Sequence, residues 1–276
     1  MTIKKYYNIA KTKLFPITRS LTGDGVKKTL NIIQDDRILL HSSFKRTFTY
    51  IKDNGYNLKP KDILDSLIEY ISSYGTLAFP TFNFSFNDGE KYEYHNTPSQ
   101  MGILSELARQ HPFAVRTLNP VYSFAIFGTD AFKFKNIDNE SWYSKKSPFN
   151  IIHNDNYKIC ILDLRERDSQ TFAHYCEEYF QVPWRYYKNF SAEYTDQNKE
   201  TKVKTYKGYV RDLEKGVKKT LDPAGELLWE KKKFIGNKPL IKNGFRYIRS
   251  KDYFYLFKKL YLENNCDPYY YTCLLY

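Results

Sequence analysis

The chain has 276 residues, 42% of them hydrophobic, which suits one large α/β domain and excludes a chain disordered throughout. Its four cysteines lack zinc-ligand spacing and disulfide-framework density, and no apolar run approaches the roughly 20 residues that a membrane-spanning helix needs. The formal net charge is +12, and residues 181–276 hold 20 Lys and Arg against 11 Asp and Glu, so the surplus gathers in the C-terminal third. Such a surplus reads either as a lysine-rich solvated surface or as a field that draws in anions such as CoA, nucleotide-sugars, nucleic acid or anionic lipid. With no apolar leader after Met1, the expectation is a soluble, cytoplasmic protein with reduced thiols.

Residues 1–34 read as a helical extension, with Val26, Leu30 and Ile33 at helical spacing after Asp24-Gly25. Residues 35–276 read as the main domain. Arg37 to His41 is a short apolar strand that runs into polar Ser42 and Ser43. Lys61 to Ser73 is an amphipathic helix behind Pro60, and Gly75 to Pro80 is the next strand. An aromatic and polar loop covers Thr81 to Tyr94, and Thr97-Pro98-Ser99 opens a helix to about Gln110. Ser123 to Phe127 and Lys158 to Leu162 are further strands, and Gln170 to Phe180 is a helix. This order describes a layered α/β fold with much parallel sheet. From Trp184 the pattern changes to short alternating runs (Tyr206 to Val210, Gly244 to Ile248), a smaller β-rich portion over 185–250, and Tyr253 to Leu262 closes as a helix.

In α/β sheets ligands bind beyond the carboxyl ends of the strands. That rule gathers three segments: His41-Ser42-Ser43-Phe44-Lys45-Arg46; Pro80-Thr81-Phe82-Asn83; and the loop from Asp163 into the helix bearing Thr171, His174 and Glu177. Residues three apart share a helix stripe. Glu177 can therefore orient His174 and raise its basicity, and the Thr171 hydroxyl can donate to a developing oxyanion. The same stripe also fits an ordinary helix with an ion pair. Cys176 points away from His174 and reads as core. No histidines have metal-ligand spacing, and the absence of a Gly-rich pyrophosphate loop argues against the common GNAT design.

Six blocks settle the choice. Ile38-Leu-Leu-His-Ser-Ser-Phe44, Gly75-Thr-Leu-Ala-Phe-Pro-Thr-Phe82, Thr97-Pro-Ser-Gln-Met-Gly102, Ala114 to Ser123, Ser147-Pro-Phe149 and Thr171-Phe-Ala-His-Tyr-Cys-Glu177 occur in one order. Over residues 35–276 the chain resembles the aminoglycoside 3-N-acetyltransferase (antibiotic N-acetyltransferase) family. The resemblance implies an α/β/α layered domain with a small β-rich C-terminal portion. It further implies CoA-dependent acyl transfer to an amine by direct attack, with His174 as base, Glu177 polarising it and Thr171 stabilising the tetrahedral intermediate. Ser42, Ser43, Phe44, Arg116, Thr117 and Ser123 match the CoA site, and Lys45 and Arg46 beside that loop could meet CoA phosphates. Thr81, Asn83 and Trp184 are candidate acceptor contacts, with pocket shape set by the Phe82–Tyr94 loop and Trp184-Arg185.

Asn119-Pro120 replaces the family's usual His-Pro, so that position cannot titrate. A basic C-terminal third would repel a polycationic aminoglycoside and attract a nucleotide-linked amino sugar. Leu14 to Val26 resembles the opening of an aminopeptidase-like family of bacterial polysaccharide biosynthesis, which points the same way. The expected reaction transfers an acetyl or short hydroxyacyl group, such as 3-hydroxybutanoyl, to a nucleotide-linked (for example dTDP-linked) amino-deoxy sugar, with acyl-CoA as co-substrate and no metal. The alternatives are an antibiotic-resistance acetyltransferase and a non-catalytic basic protein that binds nucleic acid. No nucleic-acid motif supports the last. Oligomeric state is not legible.

Overall fold

The computed structural model describes residues 31–43, 59–71, 73–219, 221–238, 245–264 and 270–272. The expected helical extension and the Leu14–Val26 motif lie outside these residues, except for 31–34, which lead into the first strand through a turn closed by the Asp36 N–H on the Ile33 carbonyl. In chain order the elements begin with β1 (Arg37–Ser42), α1 (Pro60–Ile71), β2 (Thr76–Pro80), β3 (Tyr92–Glu93), α2 (Ile103–Gln110), β4 (Val115–Arg116) and β5 (Phe124–Gly128). They continue with α3 (Pro148–Asn154), β6 (Lys158–Leu162), α4 (Phe172–Phe180), β7 (Arg185–Thr195), β8 (Thr201–Arg211), β9 (Val217–Lys219) and α5 (Asp222–Glu230). The last are β10 (Ile235–Gly236), β11 (Arg246–Arg249), α6 (Ser250–Asn264) and β12 (Tyr270–Thr272).

A seven-stranded sheet in the order β10-β11-β6-β1-β2-β5-β4 is the spine. β1, β2 and β6 are unbroken apolar runs buried along their length, as strands covered on both faces must be. Within this sheet, among the described residues, only these three pair in parallel. The expectation of much parallel sheet is corrected by β5, β4, β11 and β10, which all pair antiparallel. Residues 117–123 joining β4 to β5 are too few for the crossover that parallel pairing requires. The Gly244–Ile248 run is likewise corrected: its strand, β11, pairs with β6 in the main sheet rather than in a separate portion. What does stand apart is the sheet β3-β7-β8, built on the long β7–β8 hairpin.

Alternate residues of the central strands feed two cores. Leu39, Ala78, Ile126, Ile159 and Ile161 pack toward α3, α4 and α6. Ile38, Leu40, Leu77, Phe79, Phe127 and Cys160 pack toward α1 and α2, which gives an α/β/α sandwich. Each fully buried Phe or Leu contributes about 1.5–3 kcal/mol relative to exposure. At the edge where β1 and β6 begin, Lys158 donates to Asp36 at 2.5 Å and to the Asn31 carbonyl at 2.7 Å, both members of the ion pair being buried. Removing either partner would strand a buried charge.

Two elements start elsewhere than their sequence suggests. α2 begins at Ile103 because residues 97–100 are strapped to the neighbouring loop, with Asn83 Nδ2 donating to the Pro98 carbonyl and the Gln100 N–H to that of Phe82. Gly102, at φ 96°, then turns the chain into the helix through a conformation open to glycine. α4 begins at Phe172 with Thr171 as its N-cap residue.

Candidate active site

Because β1, β2 and β6 run in parallel, their carboxyl ends share one edge, and the described parts of the three segments lie along it. The Ser43 N–H donates to the Leu162 carbonyl, the Thr81 N–H to that of Ser123, and Thr171 Oγ1 lies 3.5 Å from His41 Nε2. α4 rises from this edge.

His174 Nδ1 lies 2.7 Å from Glu177 Oε2, with the Glu177 side chain fully buried and that of His174 16% exposed. A carboxylate can only accept and a guanidinium only donate, and both lie against Nδ1, Glu177 Oε2 at 2.7 Å and Arg185 Nη2 at 3.0 Å. The shorter contact sets the tautomer, so the proton of the neutral imidazole sits on Nδ1 and the lone pair on Nε2. The carboxylate is held in turn: Arg185 Nε donates to Oε1 at 2.6 Å, and Trp184 Nε1 donates to the same oxygen at 3.3 Å. Arg185 reaches Glu177 from eight positions away because of how α4 ends. Gln181 adopts a left-handed conformation (φ 50°), the Val182 N–H donates to the Glu177 carbonyl, and the Gln181 N–H to that of Glu178. This Schellman turn folds residues 182–185 back along the helix.

The other wall is the segment 139–143. Glu178, whose pKa burial raises, accepts from Ser141 Oγ at 2.6 Å and from the Tyr143 N–H at 3.3 Å. The centre of the Tyr143 ring thereby lies 5.2 Å from the centre of the His174 ring. Burial pushes the Tyr143 phenol well above its ordinary range, so it stays neutral. Tyr143 and Arg185 complete the histidine's surroundings. Sequence reading named Arg185 only as a shaper of the pocket, and its position beside Trp184 was the available signal.

The remaining candidates divide. Thr171 sits at the N-cap position of α4 without a side-chain capping bond and faces His41 rather than the His174 ring, while its half-buried side chain still borders the edge. Burial pulls the His41 pKa down to about 4. Ser42 is buried at the end of β1 and Ser43 is half-buried. The assignment of Thr117 and Ser123 to a ligand surface is corrected by their complete burial. Thr117 Oγ1 accepts from the Phe124 N–H, and Ser123 Oγ donates to the Thr81 carbonyl, so both brace the backbone. Thr81 and Asn83 are interior too: Thr81 Oγ1 pairs with Ser123 Oγ at 2.9 Å, and Asn83 Oδ1 accepts from the Ser85 N–H at 3.0 Å. Arg116 is turned inward, donating to the Tyr94 carbonyl and to Tyr92 Oη, with its guanidinium 4.2 Å from the centre of the Tyr94 ring. Asn119 accepts from the Val121 and Tyr122 N–H groups at 3.0 Å each, a turn-forming role that needs no titration. Phe44, Lys45 and Arg46 lie outside the described residues. Cys160 and Cys176 are buried thiols, and among the described residues no cluster is placed to hold a metal ion.

Beside α4 runs a groove of about 290 Å3 lined by Tyr143, Ser144, Lys145, Tyr175, Glu178, Tyr179, Gln181 and Tyr187. The Lys145 ammonium lies 4.8 Å from the centre of the Tyr179 ring. A larger hollow of about 520 Å3, by Glu93, His95 and Asp196, has no lining residue on α4; His174 and Glu177 line neither space, but Tyr143, whose ring neighbours His174, lines the first. Chemistry rather than volume selects the first.

A family model described as aminoglycoside 3-N-acetyltransferase matches residues 39–259. Among solved structures, the YokD protein from Bacillus subtilis superposes with TM-score 0.71 at 19% identity, covering 90% of this chain and 94% of that one. AAC-IIIb in binary complex with CoASH gives TM-score 0.70 at 16% identity, covering 88% and 97%. A mutant of aminoglycoside acetyltransferase AAC(3)-IVa in complex with apramycin gives TM-score 0.66 at 21% identity, covering 91% and 92%. At these identities the likeness is one of fold. No curated protein sequence matches significantly.

Proposed function

The chain belongs to the aminoglycoside 3-N-acetyltransferase family, and from that premise we propose that it transfers an acyl group from CoA to the amine of a nucleotide-linked amino-deoxy sugar. The observation that carries the acyl transfer is the His174–Glu177 pair, anchored at the carboxyl edge of the sheet. His174 Nε2 takes a proton from the acceptor amine as its nitrogen attacks the thioester carbonyl. The C–N bond forms, the C–S bond breaks and the thiolate leaves. Glu177 accepts from Nδ1 throughout and stabilises the imidazolium that forms. The Thr171 hydroxyl, at the rim of the same edge, is the proposed donor to the carbonyl oxygen as charge develops on it. Acyl-CoA is a cytoplasmic metabolite, which accords with a cytoplasmic enzyme.

The choice of acceptor rests on charge and on the groove. A polycationic aminoglycoside calls for exposed carboxylates. The groove beside α4 has one, Glu178, which is buried and already accepts from Ser141 and Tyr143. Its other features are four tyrosines and the Lys145 ammonium, which suit an aromatic base and an anionic linker. The basic C-terminal third reinforces that preference. The family relationship and the apramycin complex of a structural neighbour favour a second reading, acetylation of an aminoglycoside. Thiol release from acetyl-CoA and 3-hydroxybutanoyl-CoA, measured against dTDP- and UDP-linked amino sugars and against kanamycin and gentamicin, separates the two. Turnover confined to the nucleotide-linked acceptors is expected. Turnover of the drugs with none of the amino-sugar nucleotides would replace the first reading with the second.

A further inference from the structure

Arg185 occupies a position that simple orientation of a histidine does not require. Its side chain is 5% exposed and is fixed on three sides. Nε donates to Glu177 Oε1 at 2.6 Å, Nη1 donates to the Tyr209 carbonyl at 2.7 Å, and Nη2 lies 3.0 Å from His174 Nδ1. Tyr209 Oη donates in turn to the Val182 carbonyl at 2.7 Å, which ties β8 to the turn that presents Arg185.

The electrostatic consequence follows from this geometry. A buried carboxylate 2.7 Å from an imidazole favours imidazolium, and a histidine that rests protonated cannot act as a base. A guanidinium against both groups opposes uptake of that proton. It also draws one carboxylate oxygen, Oε1, to itself and leaves Oε2 for the Nδ1 proton. The pair then rests with one negative charge, balanced by one positive charge, and gains its proton only when the amine gives one up.

We propose that Arg185 is the positioning residue that keeps His174 unprotonated at rest and fixes its ring through Glu177. This rests on the reading of His174 as the base. The other titratable groups around the pair do not duplicate the role. Tyr143 and Tyr122, from the wall opposite, have phenols raised by burial. Tyr209 on β8 is pushed up to about 12, so all three phenols are neutral over the working range. Glu178 on α4 accepts from Ser141 and Tyr143, and Thr171 carries no charge.

The test is a pH titration of the His174 ring by NMR on histidine-labelled full chain, with the signal assigned by its loss in His174→Gln. Arg185→Gln is expected to raise the titration midpoint by about 1–3 pH units, while Arg185→Lys, which keeps the charge, holds it close to wild type. Arg185→Met is a second neutral variant should the Gln variant not fold. A wild-type midpoint in either neutral variant, or a rise in Arg185→Lys as large as in a neutral one, would overturn the proposal. If both neutral variants fail to fold, Arg185→Lys decides alone: a midpoint close to wild type supports the proposal, and a rise of about one pH unit or more overturns it. The acid limb of kcat/KM is then compared across the same variants. If the ring midpoint moves while that limb does not, His174 is not the base, and the effect of Arg185 on its proton still stands.

Discussion

A histidine can serve as a base only when its second nitrogen is held, and around His174, the proposed base, four side chains share that work. Glu177 accepts from Nδ1, Arg185 and Trp184 hold Glu177, and Tyr143 covers the ring. The Thr171–His174–Glu177 spacing is legible in one dimension because three residues make nearly one helical turn. Arg185 is not, since reaching Glu177 depends on a left-handed Gln181 that no local rule demands. Thr117 and Ser123 mislead for a related reason: a hydroxyl that braces backbone and one that meets a ligand look the same in a sequence. His41 illustrates what burial alone does. Its folded pKa of about 4 lies below the roughly 6.5 of an exposed histidine, so between these values the unfolded chain binds more protons. Stability is therefore full above about pH 6.5 and falls as pH drops toward 4, by up to about 3 kcal/mol from this residue. Urea unfolding at several pH values is expected to show a shallower acid loss in His41→Asn than in wild type. Parallel losses would refute the assignment.

At the scale of elements, the β7–β8 hairpin is what connects the small sheet to the site. The Trp142 N–H donates to the Lys207 carbonyl, and the Trp142 ring stacks on Phe190 with centroids 5.1 Å apart. The ring lies against Gly208, where an added Cβ would stand 2.4 Å from two of its carbons and 2.8 Å from Phe190 Cε2. Both rings are packed, so neither can yield cheaply. Gly208→Ala is expected to cost about 1–3 kcal/mol of stability by overpacking. Because Tyr143 follows Trp142 directly, kcat is expected to drop as well. Wild-type urea midpoint and kcat together would show that the hairpin does not brace the site. The sequence announces this hairpin only in part. Tyr206 to Val210 alternates, but lysines and tyrosines on both faces of the two strands hide their full length. Apolar runs and periodicity do identify β1, β2, β6 and α4, whereas the start of α2 is set by Asn83 and Gln100, which belong to tertiary structure.

Across the whole molecule, the two edges of the central sheet do different work. The edge where β1 and β6 begin is tied by the buried Asp36–Lys158 pair, and the opposite edge carries the proposed base. Strand order is the least legible level, because a sequence shows which segments are strands but not which neighbours they choose. The antiparallel flanks β4, β5, β10 and β11 are the result. Six motif blocks pointed to the family all the same, and the family model spans residues 39–259. Net charge of +12 also belongs to this scale, since it acts on the acceptor before any contact forms. The most direct measurement of the central claim is thiol release by His174→Ala, with acyl-CoA and a nucleotide-linked amino sugar, from about pH 6 to about pH 9. A loss of about 100-fold or more in kcat with CoA affinity retained is predicted. Near-wild-type turnover across that range would contradict it.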